Sequence, residues 1–370
     1  MATIVDVAEA AGVSTATVSR VLNNNPRVDP VMAVRVKRAI AELGYRPSRA
    51  ARTLRTQQSR VWTLIIPDVR NPFFTEMVRG IEDVAYGAGY ALILCNSDED
   101  GTKEHAYLEL ALAEQVSGIV LAPTHPPVSS LRDVLAQAVP IVTVDRKLEG
   151  YDLDHVVVNN ASGAEQAVEH LLERGYRRIA CINGPLDTTT GWERLVGYRR
   201  GLERQGIAPD EELVRLADFR EAGGRREMEH LLALEEPPDA VLVGNNLMTL
   251  GALEAIFQSG REIPRDVALV GFDDSSWNAL SRPPLTSIAQ PTYELGLETA
   301  RLLLNRIEGY TGPAREVMLS PVLNVRGSTV ARRAGYTTIE STKPKEARDG
   351  VRQPARRGDR SKRGHRSGAQ

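Results

Sequence analysis

The sequence predicts an N-terminal all-α helix–turn–helix module followed by an α/β core of two parallel-sheet lobes. Three observations predict it. Apolar residues in the first 46 positions recur at helical spacing. From Val61 onward, short β-branched runs alternate with helical segments. That series is too long for one sheet unit and restarts near "NNASGAEQAVEHLLERG", Asn159–Gly175.

In the first module, Ile4, Val7, Ala8 and Ala11 mark one helix. Gly12-Val13 breaks it, and Ser14 is a good N-cap for the next. Asp29-Pro30 opens a third helix with Ala33, Val36, Ile40 and Leu43 on one stripe. Gly44 closes it, and Pro47 prevents continuation. Residues 47–60, "PSRAARTLRTQQSR", read as a basic linker with one or two helical turns.

The core begins with "VWTLIIP", "ALILCN", "GIVLAP", "PIVTVD" and "HVVVN" and continues with "RRIACING", "DAVLVGN" and "VALVGFDD". Continuous apolar strands between helices argue for parallel sheets covered on both faces, with roughly ten strands in all. Asn246 is a candidate helix cap. Ligands of such sheets sit beyond the carboxyl ends of strands. The stretches to inspect are therefore 68–74, Thr124, Asp145-Arg146, Asn183, Asn245-Asn246 and Asp273-Asp274. Residues 332–370 lack apolar periodicity and read as a disordered basic tail without heptads.

Charge separates the chain into three parts. Residues 1–60 hold 10 basic and 4 acidic side chains, residues 332–370 hold 12 and 4, and residues 61–331 hold 24 and 40. A net charge of -2 thus conceals an acidic body with two basic ends; a basic module on an acidic body suits a polyanion at that module only, and uneven solvated surface fits the charges equally well. The chain has no apolar run of transmembrane length, and "MATIVDVAEA" is not a secretory signal. Cys95 and Cys181 lack metal-ligand spacing and suit a reducing cytoplasm.

The second helix carries the chemistry of the first module. On a helical wheel, Val18, Val21 and Leu22 share one face, and Thr15, Ala16, Ser19, Arg20 and Asn23 share the other. Small residues allow a helix into a major groove, and an arginine can take guanine O6 and N7 together. The pattern fits a DNA reader, and it also fits a small bundle with a polar outer face. An enzyme is the rival for the whole chain. No Walker A loop, Gly-x-Ser-x-Gly elbow or His-Glu-x-x-His motif occurs, and the six histidines are scattered. No catalytic residue, metal or cofactor is expected. A secreted binding protein is a second rival, which the basic N-terminal module disfavours.

"TIVDVAEAAGVSTATVSRVLNN", followed by "AIAELGYRPSRAARTLRTQQS", strongly resembles the N-terminus of LacI/GalR-family bacterial transcription regulators. The resemblance continues through "IIPDVRNPFF", "RRIACINGP", "VGNNLMTLGAL", "DVALVGFDD" and "RGST", and covers roughly residues 2–330. It implies a DNA-binding domain over 1–46, a hinge helix and linker over 47–60, and an effector-binding and dimerisation core over 61–331. Lobe one would comprise about 61–159 and 290–318, and lobe two 160–289 and 319–331, resembling periplasmic sugar-binding proteins.

By the same resemblance, Thr15, Ala16 and Arg20 face bases. Thr17, Ser19, Asn23 and Tyr45 match phosphate or structural positions. Ala51, Arg52, Leu54 and Arg55 belong to the hinge helix, with Leu54 as the minor-groove wedge. Effector-binding candidates are Phe73, Phe74, Asp145, Arg194, Phe219, Asn245, Asp273 and Gln290. The implied partners are pseudo-palindromic operator DNA, a sugar or sugar derivative, and a second copy of the chain. Two positions depart from the family pattern, Asn159-Asn160 and Asn245-Asn246, where an aspartate is common in each pair. Losing two carboxylates predicts a less acidic cleft, open to a sugar acid or sugar phosphate.

Overall fold

The computed structural model describes residues 2–22, 25–45, 59–124, 130–148 and 150–330. In the N-terminal module, helix α1 spans Ile4–Ala11, α2 Thr15–Leu22 and α3 Pro30–Leu43. Thr3 and Asp6 form a reciprocal capping box on α1. Gly12 adopts the left-handed conformation, φ 61°, that ends α1 and permits the tight turn into α2. Ser14 Oγ accepts from Thr17 N at 3.2 Å, so the turn and the cap are continuous. Val7, Ala8, Ala11, Val18, Val21, Val36 and Ala39 form the module's core.

The expected stripe on α3 needs one correction. Leu43 is 40 % exposed, and Ala39 takes a buried position instead. α3 has fourteen residues against eight in each partner, so its last turn outruns them.

The core holds two six-stranded sheets. The strands of sheet one are β1 (Val61–Ile66), β2 (Ala91–Asn96), β3 (Gly118–Leu121), β4 (Ile141–Val144), β5 (Asp154–Val158) and β11 (Glu316–Leu319). Their order is β11-β5-β4-β3-β1-β2, all parallel. Sheet two contains β6 (Ile179–Asn183), β7 (Val214–Leu216), β8 (Ala240–Val243), β9 (Ala268–Phe272), β10 (Thr286–Ala289) and β12 (Val322–Asn324). Its order is β12-β10-β9-β8-β6-β7. β12 runs antiparallel to β10, the one departure from the expected parallel pattern among the described strands. The central strands are buried along their whole length, which is why they read as unbroken apolar runs.

Helices cover both sheets: α4 (Pro72–Gly87), α5 (Gly101–Ala113), α6 (Ser130–Ala136), α7 (Asn160–Glu173), α8 (Thr189–Glu203), α9 (Glu221–Leu232), α10 (Asn246–Gln258) and α11 (Thr292–Ile307). α4 and α11 approach backbone to backbone, because a Cβ on Gly80 or Gly296 would overlap the other helix's carbonyls. The chain passes between sheets after Val158, after Ala289 and after Leu319. β11 carries Leu319 into sheet one, so the third crossing falls one residue later than the sequence placed it.

One buried ion cluster ties three segments of lobe one. The Asp154 side chain is completely buried at the start of β5. It accepts from Arg306 Nε and Nη2 at 2.9 and 2.8 Å, and from Arg315 N and Nη2 at 2.8 Å each. The Tyr310 ring lies against both guanidiniums. Burial opposes the charge on Asp154, but the hydrogen bonds from Arg306 and Arg315 prevail and hold its carboxyl at about 2. Asp154→Asn should therefore cost about 3 kcal/mol at pH 7, measured by urea denaturation, because it leaves buried charge uncompensated. The native carboxyl lies below its unfolded value of about 3.9, so its contribution is complete above that value and disappears as pH falls through about 2. The gap between parent and variant should close over that window.

Candidate DNA-reading face and effector cleft

On α2, the apolar face packs into the module and the opposite face meets solvent. Val18 and Val21 are buried, while Thr15, Ala16 and Arg20 are exposed. Ser19 is half-buried. Thr17 is half-buried, with its hydroxyl 3.0 Å from Ser14 Oγ, so it belongs to the turn as much as to the surface. Tyr45 packs against the module core just after α3. The face therefore presents two small side chains and one long cation. Asn23, Ala51, Arg52, Leu54 and Arg55 lie outside the described residues.

The second site is a cleft of about 490 Å³ lined from both lobes. Phe73, Phe74, Asp145, Arg194, Phe219, Asn245, Asp273 and Gln290 all border it. The strand-end stretches contribute because parallel strands of one sheet deliver their carboxyl ends to the same edge. Asp145 follows β4 and Asp273 follows β9. Both aspartates, and Phe219, have left-handed backbones with φ of 67°, 73° and 61°. Such conformations are unusual away from glycine, and here three of them converge on one cleft.

The two aspartates are buried, one from each lobe. Burial raises the carboxyl of Asp145 to about 6; Arg146 and Arg194 oppose that, while Asp273 and Glu99 add to it. Burial likewise raises Asp273, against Arg194 and the hydrogen bonds from Gln290 Nε2 at 2.5 Å and Asn246 N at 3.3 Å. Arg194 donates from Nε to Asn160 Oδ1 at 2.9 Å and from Nη1 to Gly244 O. Its guanidinium stacks 3.9 Å from the centre of the Phe272 ring. Phe73 and Phe74 meet edge to face at 5.0 Å and belong to both the lobe-one core and the cleft wall.

Residues beyond the eight effector candidates also line the cleft. Arg146 pairs with Glu99 from the loop after β2, at 2.7 and 2.6 Å, and more loosely with Asp145. Asp68, Asn71, Thr190, Asp218, Arg220 and Leu247 also border the cleft. For Asp68, Asn71 and Arg146 the strand-end rule was the available signal. Glu99 follows the strand "ALILCN" by the same logic.

Other strand-end residues turn away from the cleft. Thr124 donates to the buried Glu104 carboxylate, Asn183 donates to Gly191 O, and Asp274 pairs with Arg326. The cap of α10 is Asn245, which accepts from Met248 N at 2.8 Å, and not Asn246. Asn246 instead donates to Asn71 Oδ1 of the other lobe at 2.9 Å.

Asn159 caps α7, and Asn160 receives Arg194. Neither asparagine pair makes the cleft cationic. Asp68, Glu99, Asp145, Asp218 and Asp273 border it, against Arg146, Arg194 and Arg220. Acidic side chains still outnumber basic ones along the cleft.

The lobes touch across the cleft at three further points. Arg220 Nη2 donates to Asp98 O at 2.9 Å, and Lys147 N donates to Thr189 Oγ1 at 3.2 Å. The Arg146 guanidinium lies 5.4 Å from the centre of the Phe219 ring. Together with the Asn246–Asn71 contact, these hold the lobes in a closed arrangement. Carboxylate acceptors, guanidinium donors and aromatic faces converge on one enclosed space. That combination can hold a small polyhydroxylated ring.

Two families match the chain. The family described as "Bacterial regulatory proteins, lacI family" matches residues 3–48, and "Periplasmic binding protein-like domain" matches residues 168–329. The chain is similar to the ribose operon repressor of Escherichia coli, 37% identical over 89% of this chain and 100% of that protein. Among solved structures it resembles the lac repressor dimer bound to operator and the anti-inducer ONPF. That match has TM-score 0.79 and 30% identity over 89% of this chain and 99% of that one. It also resembles a LacI-family regulator from Enterococcus faecium with bound ribose, with TM-score 0.67 and 28% identity over 74% of this chain and 100% of that one. With a capped helix–turn–helix at its N-terminus and a two-lobed cleft behind it, the chain belongs to the LacI family of bacterial DNA-binding transcriptional regulators.

Proposed function

We propose that this regulator is a homodimeric repressor whose operator affinity is controlled by a neutral monosaccharide, a pentose of the ribose type, held in the cleft. The observation that carries this reading is the pair of buried aspartates, Asp145 and Asp273, supported by Arg146, Arg194 and Gln290 beneath aromatic rings. A carboxylate accepts hydrogen bonds from two adjacent hydroxyls, and two carboxylates from opposite lobes can bracket one sugar ring. Phe73, Phe74 and Phe219 offer apolar faces to its carbon-bound hydrogens. Five acidic side chains disfavour an anionic sugar. Similarity to a ribose operon repressor and to a ribose-bound regulator supports the same choice.

On this reading residues 1–46 contact DNA, 47–60 form the hinge and linker, and 61–331 bind effector and partner subunit. Arg20 reads a base edge, and Arg52 follows the phosphates. Ile93 and Leu94 on β2 and Leu280 in lobe two are exposed apolar residues that suit a second copy. The protein acts beside its DNA in the cytoplasm and catalyses no reaction.

D-ribose should bind in calorimetry, and Asp145→Asn or Asp273→Asn should weaken it about 10- to 100-fold by leaving sugar hydroxyls poorly matched. Affinity should decline as pH falls through about 6, where Asp145 takes up a proton and loses acceptor capacity. Retained affinity in both variants would place the effector elsewhere. In quantitative operator selection, Arg20→Ala should relax the preference at one position per half-site by about 1–3 kcal/mol. Arg52→Ala should weaken all sequences alike and flatten the salt dependence. A uniform loss from both substitutions would show that the reading face is wrongly assigned.

A further inference from the structure

We propose that Glu99 is a positioning residue of the effector cleft. By engaging both Nη groups of Arg146, it orients the guanidinium so that its Nε–H is left for the effector and holds Arg146 to a loose ion pair, 3.6 Å, with Asp145. This rests on the cleft being the effector site.

The geometry is specific. Glu99 Oε2 and Oε1 accept from Arg146 Nη1 and Nη2 at 2.7 and 2.6 Å, which fixes the plane of the guanidinium. Pro123 O also accepts from Nη1, at 3.2 Å. Of the donors left over, Nε is buried and makes no hydrogen bond among the described residues, although Arg146 borders the cleft. Asp145 Oδ2 lies 3.6 Å from that Nε, beyond hydrogen-bond reach. A buried N–H without an acceptor is costly, and a sugar oxygen placed there would satisfy it.

The turn that carries Glu99 is itself unusual. Asp98 and Glu99 are successive non-glycine residues with φ of 56° and 60°. Two contacts hold the Asp98 side chain, Asn96 Nδ2 at 2.7 Å and Lys103 Nζ. The Asp98 carbonyl receives Arg220 from lobe two. A left-handed pair fastened on both sides delivers the carboxylate to Arg146 and nowhere else.

The charges around Asp145 make the idea testable. Arg146 adjoins it in sequence, Arg194 faces it from α8, Asp273 from the end of β9, and Glu99 from the loop after β2. In the parent, Glu99 both repels Asp145 and occupies its nearest cation. Removing that negative charge ends its repulsion of Asp145 and lets Arg146 tighten its 3.6 Å pair with Asp145, so the Asp145 carboxyl should become more acidic. A residue that merely stabilised the loop would have no such effect.

The experiment uses effector-free full-length protein and Glu99→Gln, with the Asp145 carbon signal assigned through Asp145→Asn. Carboxyl carbon NMR should show Asp145 titrating at about 6 in the parent. In Glu99→Gln the midpoint should move down by about one pH unit. An unchanged or raised midpoint overturns the proposal.

D-ribose calorimetry supplies the second readout. Glu99→Gln should weaken binding about tenfold in the parent background and have little effect in an Arg146→Met background. Equal losses in both backgrounds would mean that Glu99 does not act through Arg146, and would also overturn the proposal. A parent protein that ignores D-ribose would refute the effector reading alone, and the Asp145 titration would still decide the role of Glu99.

Discussion

Two carboxylates from different lobes are buried together, and most of the cleft is organised around that constraint. Burial raises the cost of ionising both aspartates, and Asp273 adds to it for Asp145. Only hydrogen bonds and cations inside the same space can offset this. Arg194 supplies one cation for both, Gln290 and the Asn246 amide serve Asp273, and Arg146 stands beside Asp145 while committed to Glu99. Burial of both carboxylates strengthens each of these interactions. On the proposed reading, a ligand rich in hydroxyls would complete the arrangement by donating to these carboxylates.

That constraint also explains how a small molecule could influence distant DNA. The aspartates sit on opposite lobes, so a ligand that bridges them favours the closed arrangement. Its influence extends only as far as its affinities for the two arrangements differ. Arg220–Asp98 and Asn246–Asn71 cross the same gap and share in setting that balance. The helix–turn–helix needs no knowledge of the sugar. Its local contacts, the Thr3–Asp6 box and the Gly12 turn, suffice to build it.

Much of this was legible in sequence because the signals are local. Helix spacing, Gly12, Asp29-Pro30 and Gly44 mark the three N-terminal helices. The central strands are buried on both faces and so read as apolar runs. The short outer strands β7 and β12 lack such runs, each having two apolar residues and one polar one, and were not distinguished. Leu43 was misplaced because periodicity says which face a residue shares and not how far the partner helix extends. Resemblance pointed to eight cleft residues, but the pairing of Glu99 with Arg146 joins positions 47 apart through a left-handed turn that no periodicity announces. Likewise, the two asparagine substitutions suggested a less acidic cleft, whereas one residue caps a helix and another bridges the lobes.

The central claim is that sugar in the cleft and operator on the recognition helices favour different arrangements of one molecule. The most direct test measures D-ribose affinity twice by calorimetry, once for free protein and once for protein saturated with operator. Thermodynamic linkage requires the ratio of these affinities to equal the factor by which saturating ribose changes operator affinity. The account predicts two equal ratios, both clearly different from one. Tight ribose binding with identical affinity in the presence and absence of operator would contradict it.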